Sequence, residues 1–324
     1  MIDLHCHSTC SDGTLRPAEL VCLALREGLD ALALTDHDTL AGLPEFLAAA
    51  QGTPLRAVPG VEVSVQFPKG EMHILGYWIE DIRSGFNEML AKIRGGREIR
   101  NREILVKLAA LDMPLGYEEV AVLAGGDVMG RPHIARAMQA RGYVLNRQQA
   151  FDRYLGYGQP AYAGRLHYRP EEVFECIHAA GGVAVLAHPV FLGLGIKPLT
   201  ALMEELAASG LDGIEAYYPE HTPSQQRRFE ALGRRLGLIP TGGSDFHGGL
   251  TPYVRLGRNR GETLQTPDDT VDRLAACAST YKLRTTEALA KPPSAVLQAQ
   301  YSEASSPHSE SGSLALKRRL TRGS

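Results

Sequence analysis

The sequence predicts an α/β protein built on a largely parallel sheet. Strand and helix signals alternate through most of the chain, and parallel strands need such long connections, usually helical, between them. The strand segments are short and almost wholly apolar, as in residues 30–35 (DALALT), which is typical of strands buried on both faces. This pattern fits either an open sheet or a closed barrel.

The elements follow one another along the chain in a regular order. Strands are expected over residues 2–7, 30–35, 58–65, 72–79, 182–187, 213–218 and 238–242, and helices over residues 20–27, 199–209 and 223–236. Two stretches repeat one pattern, Arg-Pro, amphipathic helix, apolar strand and histidine: RPAELVCLALREGLDALALTDHD and RPEEVFECIHAAGGVAVLAHP. They place His37 and His188 just past the ends of their strands, where barrels of this class gather their chemistry.

The pattern changes between about residue 85 and residue 167. An Arg-rich helix is predicted over residues 86–110, and further helices over 118–124, 133–140 and 147–155. We interpret this region as a helical insertion that caps the active face of the sheet. We divide the chain into a first part of the sheet domain (1–99), the insertion (100–165), a second part (166–285) and a tail (286–324). The tail is expected to be mostly disordered, with a short helix at 313–320.

Composition sets limits on the partners and the compartment. The 324 residues are 44% hydrophobic and 22% charged, with a net charge of −3, which gives no support to binding of a DNA duplex. The five cysteines are scattered, so a disulfide framework is not expected. Met1 runs directly into the first strand, which leaves no room for a signal peptide, and no apolar run is long enough to span a bilayer. We expect a cytoplasmic protein without an obligate protein partner.

Polar side chains collect at the predicted strand ends. His5 and His7 stand two residues apart on the first strand and therefore point to the same face. An isolated His-x-His pair would favour an ordinary surface strand, so a metal site depends on the residues that join the pair. The nine candidate ligands are His5, His7, Asp12, His37, Glu62, His73, His188, Asp245 and His247. Burying them together is costly without cations, and nine ligands exceed what one cation needs, so two or three divalent ions are implied. Manganese is the first expectation, with zinc, iron or magnesium as alternatives.

These residues stand in motifs that resemble a known family. DLHCHSTCSDGTL, TDHD, GVEVS, MHILGY, AHP and GSDFH, in this order over roughly residues 1–260, are similar to the successive motifs of the PHP (polymerase and histidinol phosphatase) family. The resemblance implies a distorted (β/α)7 barrel, a trinuclear metal site and phosphoesterase activity. It also implies three ligand groups: His5, His7, Glu62 and Asp245; Asp12, His37 and His247; and a bridging Glu62 with His73 and His188.

The insertion narrows the expected substrate. GDVMGRPHIARAM, residues 126–138, resembles the substrate-capping segment of the branch that contains 3′,5′-nucleoside bisphosphate phosphatases, some of which also degrade short RNA from its 5′ end. Arg131 and His133 are expected to contact a phosphate, since a guanidinium binds phosphate in bidentate fashion. The alternative is that Arg131 and the following proline merely start a helix. The expected reaction removes the 3′-phosphate by attack of a metal-bound hydroxide, with Asp245 or His247 assisting proton transfer.

Three other interpretations stay open at this point. One is a histidinol phosphatase or another phosphatase of small metabolites, which the helical insertion disfavours. A metal-dependent amidohydrolase shares a His-x-His on its first strand, but Asp12 and the closing Asp-Phe-His fit it less well. A non-catalytic metal-binding module would be favoured by missing ligands, and none of the nine is missing.

Overall fold

A nearly closed seven-stranded sheet forms the centre of the molecule. The computed structural model describes residues 1–68, 72–79, 85–124, 129–164, 168–250, 253–259 and 261–290, with the backbone alone for 250 and 284–290. The strands of the central sheet are β1 (Ile2–Asp3), β2 (Ala31–Leu34), β3 (Arg56–Val65), β4 (Met72–Tyr77), β5 (Val183–Leu186), β6 (Gly213–Tyr217) and β7 (Ile239–Gly242). They neighbour one another in sequence order.

Most neighbours in this sheet are parallel, as predicted, but β4 is antiparallel to both β3 and β5. The first and last strands also meet, since the backbone N–H of Leu4 donates to the carbonyl of Gly242 at 3.0 Å and that of His7 to the carbonyl of Phe246 at 2.9 Å. We call this contact the β1–β7 seam. The predicted distorted barrel is therefore confirmed.

The first strand is shorter than predicted. It ends at Asp3 rather than at residue 7, and Cys6 makes only an isolated bridge to Phe246. The chain leaves regular pairing here because the carboxylate of Asp3 accepts from the backbone N–H groups of His5, Ser244 and Gly257. These bonds satisfy backbone groups that a longer ladder would otherwise pair.

The helices on the outside of the barrel begin where the sequence places their starting signals. They are α1 (Pro17–Glu27), α2 (Leu43–Ala50), α7 (Pro170–Ala179), α8 (Ile196–Ala208), α9 (Pro223–Arg235) and α10 (Thr270–Ala290). In the two repeated Arg-Pro stretches, Glu19 accepts from the N–H of Arg16 and Glu172 from the N–H of Arg169, both at 2.8 Å. These bonds cap helix starts that proline favours.

The insertion has a hydrophobic core of its own. It contains α3 (Phe86–Ala109), α4 (Tyr117–Ala124), α5 (Arg131–Ala140), α6 (Arg147–Ala150) and a π-helical turn (Phe151–Leu155), so the helix expected over 147–155 changes type midway. The first half of α3 packs on the barrel core through residues such as Phe86 and Leu90, whereas a separate apolar cluster runs from Ile104 to Ala163. The boundary at residues 99–100 stays a prediction.

The C-terminal part is described as far as Ala290. Residues Met1–Thr285 form one compact unit. The tail was predicted from residue 286, and α10 continues to Ala290; the tail boundary and the disorder of the tail stay predictions. The rest of the tail, including the predicted helix at 313–320, lies outside the described residues. None of the helices in the described part is long and apolar enough to cross a membrane. The cytoplasmic location stays a prediction.

Candidate active site

Five of the nine predicted ligands converge on the buried carboxylate of a sixth, Glu62. Glu62 lies on β3 and is 1% exposed. Ring nitrogens of five histidines lie 2.8 to 3.4 Å from its two oxygens: His5, His7 and His37 from Oε2, and His73 and His188 from Oε1. Together with Glu62, these histidines come from five separate segments of the chain. The fold of the barrel brings them together.

Two aspartates and His247 complete the set of nine candidate ligands, which we call the metal cluster. Asp245 Oδ1 lies 3.1 Å from His7 Nε2 and 3.4 Å from His5 Nε2. Asp12 lies 3.3 Å from His247 Nε2 and 3.7 Å from His37 Nε2. The strand ends therefore supply carboxylates on two sides of the histidines.

Three sets of ligand atoms are close enough to hold a cation each, with all atoms of a set within 4.8 Å of one another: His5, His7, Glu62 and Asp245; His7, Asp12, His37 and His247; and His37, Glu62 and His73. The first set equals one predicted group, and the second adds His7 to another. The third has His37 where His188 was predicted, although His188 lies 2.9 Å from Glu62. The assignment of ligands to individual cations stays a proposal.

Unsatisfied buried atoms show that the cluster fits cations. His5 Nε2, His7 Nε2, His37 Nδ1 and Glu62 Oε2 are buried and have no hydrogen-bond partner among the residues that the structure describes. Such atoms are costly inside a protein unless another group satisfies them. Imidazole nitrogens and carboxylate oxygens are also the donors that manganese, zinc and iron accept.

The shifted pKa values in the cluster also indicate that it fits cations. Burial by itself raises the pKa of Glu62, but His37, His73 and His5 together hold that pKa well below its usual range. Burial by itself lowers the pKa of His7, but the carboxylates of Asp245 and Glu62 beside it outweigh burial and raise the pKa to about 10. Without a cation, protons on the histidines therefore supply the positive charge that the carboxylates require.

Glu215 orients two of the histidines and was missed as a site residue. It is fully buried on β6; its Oε1 accepts from His5 Nδ1 at 3.0 Å and its Oε2 from the backbone N–H of His188 at 2.7 Å. Because Nδ1 of His5 donates, Nε2 is the nitrogen left to face the metal cluster. A carboxylate inside the otherwise apolar strand GIEAY is the signal that identifies it.

The backbone is unusual at two of the ligands. Asp245 has φ of 53° and His188 has φ of 22°, conformations that cost of the order of 1–3 kcal/mol and concentrate at functional sites. Gly243 makes this geometry feasible, because a Cβ there would lie 2.2 Å from the Cβ of His5. The loop after β7 thus approaches His5, just past the first strand, only with glycine at this position.

A small basic cavity adjoins the metal cluster. It measures about 130 Å³ and is lined by Asp12, His37, His73, Arg97, Arg100, Gly130, Arg131, Pro132 and Phe151. We call it the arginine cavity. The predicted Arg131 lines it, with one guanidinium nitrogen 3.3 Å from the carbonyl of Leu155. Sequence reasoning missed Arg97 and Arg100, which are 9% and 3% exposed; their spacing of three residues on α3 puts them on one helix face.

His133 does not line the arginine cavity. Its Nδ1 accepts from the backbone N–H of Gly130 at 3.0 Å, which caps α5 as Glu19 caps α1. Burial, partly offset by Asp12, lowers the pKa of His133. The neutral ring therefore carries its proton on Nε2, and its contact with a phosphate stays a proposal.

The chain is similar to known proteins of one family. The model of the PHP domain matches residues 3–154. The 5′-3′ exoribonuclease of Haemophilus influenzae is 37% identical over 257 residues, which cover 79% of this chain and 93% of that protein. The 3′,5′-nucleoside bisphosphate phosphatase of Chromobacterium violaceum is 34% identical over 247 residues, covering 76% and 87%.

A solved structure is similar over almost the same length. It comes from Bifidobacterium adolescentis, is described as a metal-dependent phosphoesterase, and superposes with a TM-score of 0.72 at 32% identity over 86% of this chain and 96% of that one. These likenesses cover the barrel and the insertion together, and the six sequence motifs meet in one metal cluster. The chain therefore belongs to the PHP family and is a metal-dependent phosphoesterase.

Proposed function

We propose that the protein hydrolyses the 3′-phosphate ester of nucleotides that also carry a 5′-phosphate. The substrates are 3′,5′-nucleoside bisphosphates and short RNA degraded from its 5′ end. The observation that carries this proposal is the arginine cavity, which opens directly beside Asp12, His37 and His73 of the metal cluster. The two relatives named above support it, since one is named for each kind of substrate.

One site serves both substrates because the same bond is broken in each. In both, the phosphorus–O3′ bond is cleaved and a 5′-phosphate stands on the other side of the same ribose. The arginine cavity, at about 130 Å³, is much smaller than the roughly 300–1,000 Å³ of pockets that enclose a whole ligand. It therefore suits a terminal phosphate rather than a base.

The arginines would bind and orient the substrate. Arg97, Arg100 and Arg131 line the cavity, and each charge-assisted hydrogen bond from a guanidinium group to a phosphate contributes about 1.5–3 kcal/mol. Holding the 5′-phosphate there places the 3′-ester at the metal cluster, and such positioning raises the rate as well as the affinity.

The nine ligands fit two or three divalent cations, with manganese as the proposed ion. When bound, such cations lower the pKa of a water molecule, neutralise the phosphoryl oxygens and stabilise the departing alkoxide.

Asp245 and His247 are the proposed proton-handling residues. His247 Nδ1 donates to the backbone carbonyl of Asp245 at 2.8 Å, so its exchangeable position toward the cluster is Nε2. Asp245 Oδ2 accepts from the hydroxyl of Tyr218 at 3.0 Å, and its Oδ1 faces His5 and His7. Tyr218 thereby fixes which oxygen of Asp245 points into the cluster.

The test is phosphate release from a matched panel with manganese added. Adenosine 3′,5′-bisphosphate should far exceed adenosine 3′-phosphate and histidinol phosphate in kcat/KM. Equal values with and without the 5′-phosphate would refute the nucleotide assignment, and a preference for histidinol phosphate would restore that alternative.

A further inference from the structure

A second cavity adjoins the metal cluster. It measures about 510 Å³ and is lined by Phe191, Tyr218, Pro219, Glu220, Ser244, Asp245, His247, Tyr253, Val254 and Arg258. We call it the aromatic cavity. Among the described residues none lines both cavities. The two approach each other where His247 Nε2, on the aromatic side, lies 3.3 Å from Asp12 Oδ1, on the arginine side.

Aromatic rings form its wall next to the metal cluster. Phe191 is 48% exposed and Tyr253 is 70% exposed. Phe191 meets the ring of Tyr218 edge to face, with centroids 5.7 Å apart, and the ring of His188 at 5.1 Å. Exposed rings beside a nucleotide-cleaving site are suited to stacking a base, since every base presents a π-face.

The charges in this cavity suit a nucleotide rather than a free anion. Arg258 lines it, and its guanidinium group lies 3.8 Å from the carboxylate of Glu27. This distance is longer than a hydrogen bond, so the ion pair with Glu27 is weak. The exposed carboxylate of Glu220 repels a bare phosphate but accepts hydrogen bonds from ribose hydroxyls or base amino groups. A cavity with rings, one cation and one acceptor matches a nucleoside followed by a phosphate.

We propose that the aromatic cavity binds the second nucleotide of an RNA substrate, the one whose 5′-oxygen is attached to the scissile phosphorus. Its base stacks on Tyr253, the more exposed of the two rings, and the next phosphate along the chain meets Arg258. The inference rests on the proposed function and extends it, because a 3′,5′-bisphosphate lacks this nucleotide and leaves the cavity unused.

Hydrolysis of the RNA needs water as its only co-reactant. The oxygen of water bonds to phosphorus, the phosphorus–O3′ bond breaks, and the departing 3′-oxygen takes up a proton. The products are a nucleoside 5′-monophosphate and an RNA shortened by one residue with a new 5′-phosphate. That new end carries the group which the arginine cavity binds, so the shortened chain is again a substrate.

The experiment compares the full-length enzyme with manganese on three substrates: adenosine 3′,5′-bisphosphate (pAp), the dinucleotide pApA and the trinucleotide pApApA. The readout is the kcat/KM of each RNA divided by that of pAp. Base–aromatic stacking predicts that Tyr253→Ala lowers the pApA ratio by about 5- to 100-fold. Arg258→Gln should remove the gain from pApA to pApApA. Leu47→Ala, on a 40%-exposed side chain of α2, is the control and should leave all ratios unchanged.

Each outcome is decisive. Ratios that stay at the unmodified value in both Tyr253→Ala and Arg258→Gln would overturn the inference. Cleavage of pAp without any cleavage of pApA by the unmodified enzyme would also overturn it, while leaving the bisphosphatase function intact. Failure to cleave pAp and pApA alike would refute the proposed function itself, and the inference with it.

Discussion

Arg97 of α3 donates through its guanidinium group to the carboxylate of Asp38, the residue directly after His37. The same arginine lies 3.2 Å from the hydroxyl of Ser64, and Asp38 also accepts from the backbone N–H of Ser64 at 2.8 Å. Helix α3 is thereby bonded to the loop that holds His37, a predicted ligand. Under the proposed function, in which Arg97 contacts the substrate, this pair couples substrate binding to the integrity of the metal cluster.

Replacing Arg97 should therefore affect both stability and activity. Arg97→Ala leaves the buried carboxylate of Asp38 without this guanidinium group, which costs about 3–5 kcal/mol, and Tm should fall by roughly 5–10 °C. Turnover of the bisphosphate should fall as well. Arg102→Ala is the matched control, since Arg102 pairs with Glu98 on the exposed face of α3 and should leave Tm nearly unchanged. Equal Tm values for the two variants would contradict the coupling.

Metal removal should abolish phosphate release. A chelator should stop the reaction and manganese should restore it, and Asp12→Ala, His37→Ala or Asp245→Ala should lower kcat by orders of magnitude. Metal content after dialysis gives an independent readout. His178→Ala is the control, because His178 bonds to Asp212 at 2.8 Å and not to the cluster; its metal content should stay normal. Near-normal turnover by a metal-free His37→Ala protein would end this interpretation.

Glu215→Gln should weaken metal binding without removing any ligand. The amide oxygen still accepts from the backbone of His188, but the amide NH2 then faces His5 Nδ1 and favours the tautomer with its proton on Nε2. Loss of such an orienting partner typically costs 10- to 100-fold in metal affinity. Titration of the stripped protein with manganese measures it, and excess manganese should partly rescue activity. An unchanged manganese affinity would mean that Glu215 does not orient His5 for metal binding.

Arg131→Ala should remove most of the preference for a 5′-phosphate. Loss of a charge-assisted bond lowers kcat/KM for adenosine 3′,5′-bisphosphate by about 10- to 100-fold, whereas adenosine 3′-phosphate and a small aryl phosphate should be much less affected. The ratio of these rates is the measurement. A uniform decrease on all three would assign Arg131 to the stability of α5 instead.

The metal-free protein should lose stability as the pH rises. The pKa of His7 is raised to about 10 in the fold, so its contribution is complete below its usual pKa of about 6.5 and is lost as pH climbs toward 10. The Tm of chelator-treated protein should fall between pH 6.5 and 8.5. Stabilisation by manganese should grow over the same range, because binding displaces protons. A flat or rising Tm in the stripped protein would contradict this assignment.

Local patterns predicted the barrel well, whereas its long-range details required the structure. Apolar runs such as VAVL in β5 identify strands because burial on both faces leaves no polar position, and the polar residues after them were found at one end of the sheet. The antiparallel direction of β4 and the contacts of Glu215 depend on residues far away in sequence. A local hydrophobic pattern contains no information about such contacts. Helices α2 and α10 were not predicted at all, and β1 proved shorter.

The β1–β7 seam joins the beginning of the chain to its last barrel strand. The candidate ligands extend from His5 to His247, so a chain that has emerged from the ribosome only as far as β6 lacks both Asp245 and His247. During synthesis His5 and His7 therefore lack their full set of partner ligands until nearly the whole barrel has been made. Assembly of the complete set of candidate ligands is in this way a late event, and a translation product that ends before Asp245 lacks two of the nine.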